Sequence, residues 1–139
     1  GQMIQMTSMI YNGVYDKFPT LKVAYAEAGC GWVPYLMERL DMEYEHRNTQ
    51  VPTCKKLPSE HLKSGRIFIH CELEDRGIAQ IAELLRDDIL FCATDFPHEP
   101  RSEFHENIQK FMAREDVHAE TKQKICFENP KRMYPLAAQ

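Results

Sequence analysis

The feature that most constrains this chain is the run DDILFCATD at residues 87–95, whose apolar residues stand side by side instead of alternating with polar ones. A strand with one wet face shows a period of two. Consecutive apolar positions point to a strand covered on both faces, as in a parallel sheet packed between layers. Two other runs have strand character. RIFIHCE (66–72) is β-branched and aromatic, and Val23 to Ala26, within LKVAYAEAGCGW (21–32), is a short run bounded by Gly29 and Gly31 and read as a strand ending in Glu27.

Helical spacing fills the intervals. Met3, Met6, Ile10 and Val14 predict a helix over 2–18 that Phe18-Pro19 closes, and Trp32, Tyr35, Leu36, Arg39 and Leu40 predict another over 32–47. A polar loop with Pro52 and Pro58 leads to a short helix opened by Pro58-Ser59 and ended by Ser64-Gly65. Ile78, Ile81, Ala82 and Leu85 predict a helix over 75–86; two more are expected over 102–114 and 119–128, with NPKRMYPL as a capping tail. Strands alternating with helices imply an α/β fold with a parallel sheet and right-handed crossovers. At 139 residues, positions 1–139 suit a single domain.

Composition narrows the function. Acidic residues outnumber basic ones by 21 to 17, and Lys and Arg are scattered, so nucleic acid is not an expected partner. No run approaches the roughly 18 apolar residues of a membrane span, and the first residues lack the layout of a signal peptide, so a soluble, cytoplasmic protein is expected. Gly1 is not an initiator methionine, and the chain is expected to be part of something longer. Cys30, Cys54, Cys71, Cys92 and Cys126 are odd in number and form no C-x-x-C pair, so they are read as reduced, with Cys71 and Cys92 in the core. A structural zinc module built on Cys and His pairs is disfavoured on the same ground. No P-loop, dinucleotide fingerprint or nucleophile elbow is present, which disfavours nucleotide chemistry.

In parallel sheets the side chains at the strand ends leave the core while the backbone stays rigid, so functional groups collect there. All three strand ends here carry acids: Glu27, Glu72 and Asp95. Asp95 can bind a metal or move a proton, or it can simply cap the turn that Pro97 starts. His98 can ligate, donate to substrate or sit on the loop; Glu27 can face the site or solvent; His70 can be a buried or a pocket histidine. His46, Arg47 and His61 are read as surface residues.

GVYDKFPTLKVAYAEAGCGWVPYLMERLD (13–41), LPSEHL (57–62), RIFIHCELED, ILFCATDFPH and ENPKRMY together resemble, in order, the C-terminal part of the amidohydrolase-related family of metal-dependent hydrolases and decarboxylases. The resemblance implies a partial TIM-type (β/α)8 barrel, with this chain as strands six to eight, and a divalent metal, zinc above all, at the C-terminal mouth. It implies that Asp95 is the strand-eight aspartate that binds or faces the metal and acts as base, that His98 belongs to the same signature, and that Glu27 stands at the metal-facing position of strand six. Trp32 and Arg39 fall where the family lines or braces the pocket, and with His70 they are the expected substrate contacts. A complete barrel takes about 250 residues. The family's H-x-H pair on strand one has no counterpart here. Taken alone, then, the chain is expected to hold metal weakly and to be inactive.

The complete enzyme is expected to hydrolyse or decarboxylate a small carboxylated molecule, with aromatic acids among the candidates. An open three-stranded sheet also predicts an exposed apolar inner face, covered by the N-terminal half of the barrel or by homo-oligomerisation. The alternative is a non-catalytic α/β scaffold that associates through that face.

Overall fold

The computed structural model describes residues 1–98 and 100–134. Helix α1 (Gln2–Tyr11) stops at Asn12, because Gly13 takes a φ of 66° and only then does the single turn α2 (Val14–Lys17) follow. The one helix expected over 2–18 is therefore two. A side chain at Gly13 would stand 2.3 Å from the Thr53 carbonyl oxygen, so the break is where the 52–55 loop packs against the helix pair.

Strand β1 (Val23–Tyr25) leads to α3 (Val33–Arg47) and the short α4 (Pro58–Leu62), whose Glu60 carboxylate accepts from the Leu57 N–H at 3.0 Å. Next come β2 (Ile67–His70), α5 (Ile78–Leu85) and β3 (Leu90–Phe91). Helices α6 (Arg101–Ala113) and α7 (Ala119–Gln123) follow, and α7 runs through a π turn at Lys124–Glu128 into α8 (Asn129–Met133). The sheet order is β1-β2-β3 with both pairings parallel, Ala24 opposite Phe68 and His70 opposite Phe91. Among the described residues no helix is long and apolar enough to cross a membrane.

The third strand is shorter than the 87–95 expected, because its backbone groups find other partners. Asp87–Ile89 is a 3₁₀ turn; the Asn129 side-chain amide donates to the carbonyls of Asp87 and Leu90 at 2.8 and 2.7 Å, and the Cys92 N–H is taken by Ile125. All five cysteines are free thiols.

The central strand is buried on both faces, as its composition requires. Ile67, Ile69 and Leu90 face α3 and α5, where Val33, Leu36, Leu40, Ile78 and Leu85 complete the main core. Phe68 and Phe91 face the other way and pack with Met133 of α8, and the Arg132 guanidinium lies 5.1 Å from the centre of the Phe68 ring. Phe68 is 0% exposed. Part of the inner face expected to be bare is thus covered here by Met133 and Arg132 of the chain's own C-terminal helix.

His61 also departs from expectation. His46 and Arg47 are on the surface, but His61 is 1% exposed, because α4 is a single turn tucked against α1 and α3 with its His61 and Leu62 side turned inward. Its Nε2 lies 3.3 Å from Asp16 Oδ2 and its ring packs on Tyr15, centroids 5.8 Å apart. Burial lowers the pKa of this imidazole; Arg66 and Lys56 push the same way, and Asp16 and Glu60 oppose them.

The native state therefore holds the His61 proton less tightly than the unfolded chain, so stability falls as pH drops below the ordinary histidine value of about 6.5 and is complete above it. Urea unfolding from pH 7.5 to 5 is expected to show this loss in the wild-type chain and a smaller one in His61→Gln. Equal losses in both would rule His61 out as the source.

Candidate active site at the strand ends

Parallel pairing brings three C-terminal strand ends to one rim. Glu27 follows β1 by two residues, His70 closes β2 with Glu72 two residues on, and Asp95 follows β3 by four. Glu27 and Asp95 are both exposed and have left-handed backbone, with φ of 58° and 47°. Such a conformation costs a non-glycine residue on the order of 1 kcal/mol and concentrates at functional sites. Each acid therefore stands where the chain turns sharply out of its strand.

His70 is on the same sheet face as Phe68 and Phe91, 7% exposed, with its ring 5.5 Å from that of Phe91. Its Nδ1 accepts from the Glu27 N–H at 3.4 Å and lies 3.5 Å from Glu72 Oε1. These contacts exclude each other. Accepting from Glu27 requires a bare Nδ1 and puts the ring proton on Nε2, whereas pairing with Glu72 requires a proton on Nδ1.

Asp75, one of the acids at the exit of β2, joins two of the rim loops. Asp75 Oδ2 accepts from the Cys30 N–H at 3.1 Å, the Cys30 thiol at 3.3 Å and the Glu72 N–H at 3.2 Å, joining the loop after β1 to the loop after β2. Gly29, at φ 59°, lets the loop come this close, since a Cβ there would be 3.3 Å from the same carboxylate oxygen. Burial, reinforced by Asp75, pushes the Cys30 thiol up, so it remains a neutral donor. From below, Arg114 Nη1 donates to the carbonyls of Leu73 and Asp75 at 2.9 and 2.8 Å, and its own charge is held by Asp116.

Of the other expected residues, Trp32 is half-buried in the first rim loop and its indole N–H donates to Gly29 O at 2.9 Å. Arg39 is exposed and lies about 9 Å further along α3, its guanidinium paired with Glu43 one turn beyond. The structure does not bring it to the strand ends. His98 is exposed and its N–H donates to Asp95 O at 2.8 Å, closing the turn that begins at Asp95.

Beside Asp95 a cleft of ≈ 440 Å³ is lined by Thr94, Phe96, Arg101 and Phe104. An arginine and two aromatic rings lining one cleft offer a charge for a carboxylate and apolar faces for a ring. Phe104 gave no signal beyond membership of the helix expected over 102–114, and Arg101, the first residue of the observed helix, gave none. Among the described residues no three metal-binding side chains converge at the rim; His70 and Glu72 are the near pair, and Asp95 and Glu27 do not complete a set with them. The rim has donors of the right chemistry but does not enclose an ion by itself.

A sequence profile of the amidohydrolase family matches residues 2–136. The chain belongs to that family. No curated protein matches it. Among solved structures, an amidohydrolase from Mycobacterium avium subsp. paratuberculosis K-10 aligns with a TM-score of 0.76 at 25% identity, over 94% of this chain and 32% of the other. A 5-carboxyvanillate decarboxylase from Sphingomonas paucimobilis gives 0.76 at 21% identity over 96% and 39%, and a dihydroxybenzoic acid decarboxylase from Polaromonas sp. JS666, with bound manganese and the inhibitor 2-nitroresorcinol, gives 0.72 at 18% over 99% and 40%. This amidohydrolase chain therefore spans about a third to two-fifths of those structures, and its three parallel strands are part of a barrel.

Asp75→Ala leaves the Cys30 and Glu72 N–H groups without their acceptor. The expected cost is about 1–3 kcal/mol in urea unfolding, with faster amide exchange at residues 28–32 and 72–76. Unchanged exchange in those loops would mean that Asp75 does not join them.

Proposed function

We propose that this chain supplies the last three strand-and-helix units, strands six to eight, of a metal-dependent amidohydrolase that decarboxylates or hydrolyses a small aromatic carboxylate. The observation that carries the reading is the cleft lined by Thr94, Phe96, Arg101 and Phe104, whose residues Thr94 and Phe96 flank Asp95 in the loop that leaves β3. Arg101 pairs with a substrate carboxylate, the two phenylalanine rings flank its ring, and Thr94 borders the cleft beside Asp95. Asp95 is the group that moves the proton, since a carboxylate on a rigid strand end can hold or release one at a reacting carbon or water. His98 shares its turn, and His70, with its proton on Nε2, presents a donor on the inner face of the sheet.

A divalent cation, with zinc the proposed identity, belongs at this rim by family membership, with Asp95 and Glu27 as the ligands from this chain. These two do not form a closed set, so the remaining ligands are to come from the rest of the barrel. The two decarboxylases similar in fold, of 5-carboxyvanillate and of dihydroxybenzoic acid, act on aromatic acids, which favours decarboxylation over hydrolysis.

In a complete barrel containing these residues, Asp95→Asn is expected to lower kcat by about 10²–10⁴-fold with circular dichroism unchanged. Arg101→Met is expected to raise KM for aromatic carboxylates. Full activity of Asp95→Asn would end the assignment.

A further inference from the structure

Three side chains far from the rim form a second group with metal-binding chemistry. Asp16 on α2, Cys54 in the loop before α4, and His61 on α4 place one donor atom each within 4.8 Å of one another. Cys54 is 3% exposed and His61 1%, so the group is enclosed on two sides. Asp16 is 16% exposed, and a surface cleft of ≈ 360 Å³ lined by Gly13, Asp16, Pro52, Thr53 and Lys55 gives access on the third.

His61 supplies the independent observation. Neither of its ring nitrogens has a hydrogen-bond partner of acceptable geometry, although the side chain is almost wholly buried; the 3.3 Å approach of Nε2 to Asp16 Oδ2 is a close contact only. Two unpartnered polar atoms in a buried ring are costly, and a ligand on Nε2 would relieve one of them.

We propose that Asp16, Cys54 and His61 bind one divalent transition-metal ion, zinc by preference, which ties α2, the 52–57 loop and α4 together. Tetrahedral zinc with bonds of about 2.0–2.3 Å separates its ligand atoms by roughly 3.3–3.8 Å. The His61–Asp16 distance already matches, and a 4.8 Å span closes with small side-chain movements. One nitrogen, one sulfur and one oxygen donor leave the fourth position to water from the adjoining cleft. Burial keeps His61 neutral, the form that ligates. Cys54 must lose its proton to the solvent as the metal–sulfur bond forms; burial holds that thiol protonated in the free protein, so binding releases one proton and weakens as pH falls. The Asp16 carboxylate and the Cys54 thiolate together cancel the charge of a divalent ion.

The surrounding chain holds the donors in place. Lys55 N–H donates to Asp16 Oδ2 at 3.2 Å, Tyr44 OH to Cys54 O at 3.1 Å, and Thr53 Oγ1 to Tyr11 O at 3.2 Å, while Gly13 allows the close approach of Thr53. These contacts bring the loop and α2 together whether or not an ion is present.

The test is a cobalt(II) titration of the purified, chelator-treated 139-residue chain. The expected result is a near-ultraviolet thiolate-to-cobalt band that saturates at one equivalent, disappears on adding zinc, and is absent in Cys54→Ser. Asp16→Asn, at a partly exposed position, is expected to weaken binding by at least the roughly 10–100-fold seen when outer partners of metal ligands are removed, and it serves if Cys54→Ser does not fold. Cys92→Ser and Asp95→Asn should leave the band intact. A chain with no band, or one whose band survives Cys54→Ser or Asp16→Asn unchanged, would overturn the proposal; a band lost in Cys92→Ser but kept in Cys54→Ser would move the site to the Cys92 and Cys126 thiols.

Discussion

β2 is the strand on which the rest of the molecule depends. It is the middle strand, paired in parallel on both sides, and Ile67, Phe68 and Ile69 are fully buried. Removing apolar area of that size from water on both faces is the largest favourable contribution available to a domain of this length. It also decides where chemistry can occur. A strand closed on both faces offers functional positions only at its ends, so His70, Glu72 and Asp75 at its exit become the middle of the rim.

The rim is then a balance between rigid strands and loops that leave them sharply. Glu27 and Asp95 have left-handed backbone in the loops that leave β1 and β3, and Asp75 with Arg114 ties the loop after β1 to the loop after β2. The backbone of each acid is held by a hydrogen bond, Glu27 N–H to His70 and His98 N–H to Asp95 O, while both residues stay exposed. The cleft beside Asp95 combines charge and aromatic surface, while the group at Asp16, Cys54 and His61 lies against the helices instead, so a metal there would act on stability and not on the rim chemistry.

Much of this was legible in the residues. Consecutive apolar positions in 87–95 marked a doubly covered, parallel type of strand, the β-branched and aromatic run 66–72 marked a second, and the alternation with helical periods pointed to a parallel sheet. The acids at all three strand ends gave the rim. The length of the third strand was not legible, because Asn129 and Ile125, more than thirty positions away, take the hydrogen bonds that would have continued the ladder. The break at Gly13 and the burial of His61 were missed for the same reason: each is set by the loop or helix that happens to pack there.

Periodicity and strand-end chemistry are local properties, and by themselves they determined a parallel α/β sheet, the order of its elements along the chain and the acids at its strand exits. Which side chains meet across the fold was decided only by the tertiary structure. Asp75 on Cys30, Arg132 over Phe68, and Asp16 with Cys54 and His61 come from separate segments that no spacing rule connects, since their approach depends on how helices of given lengths settle against a buried strand.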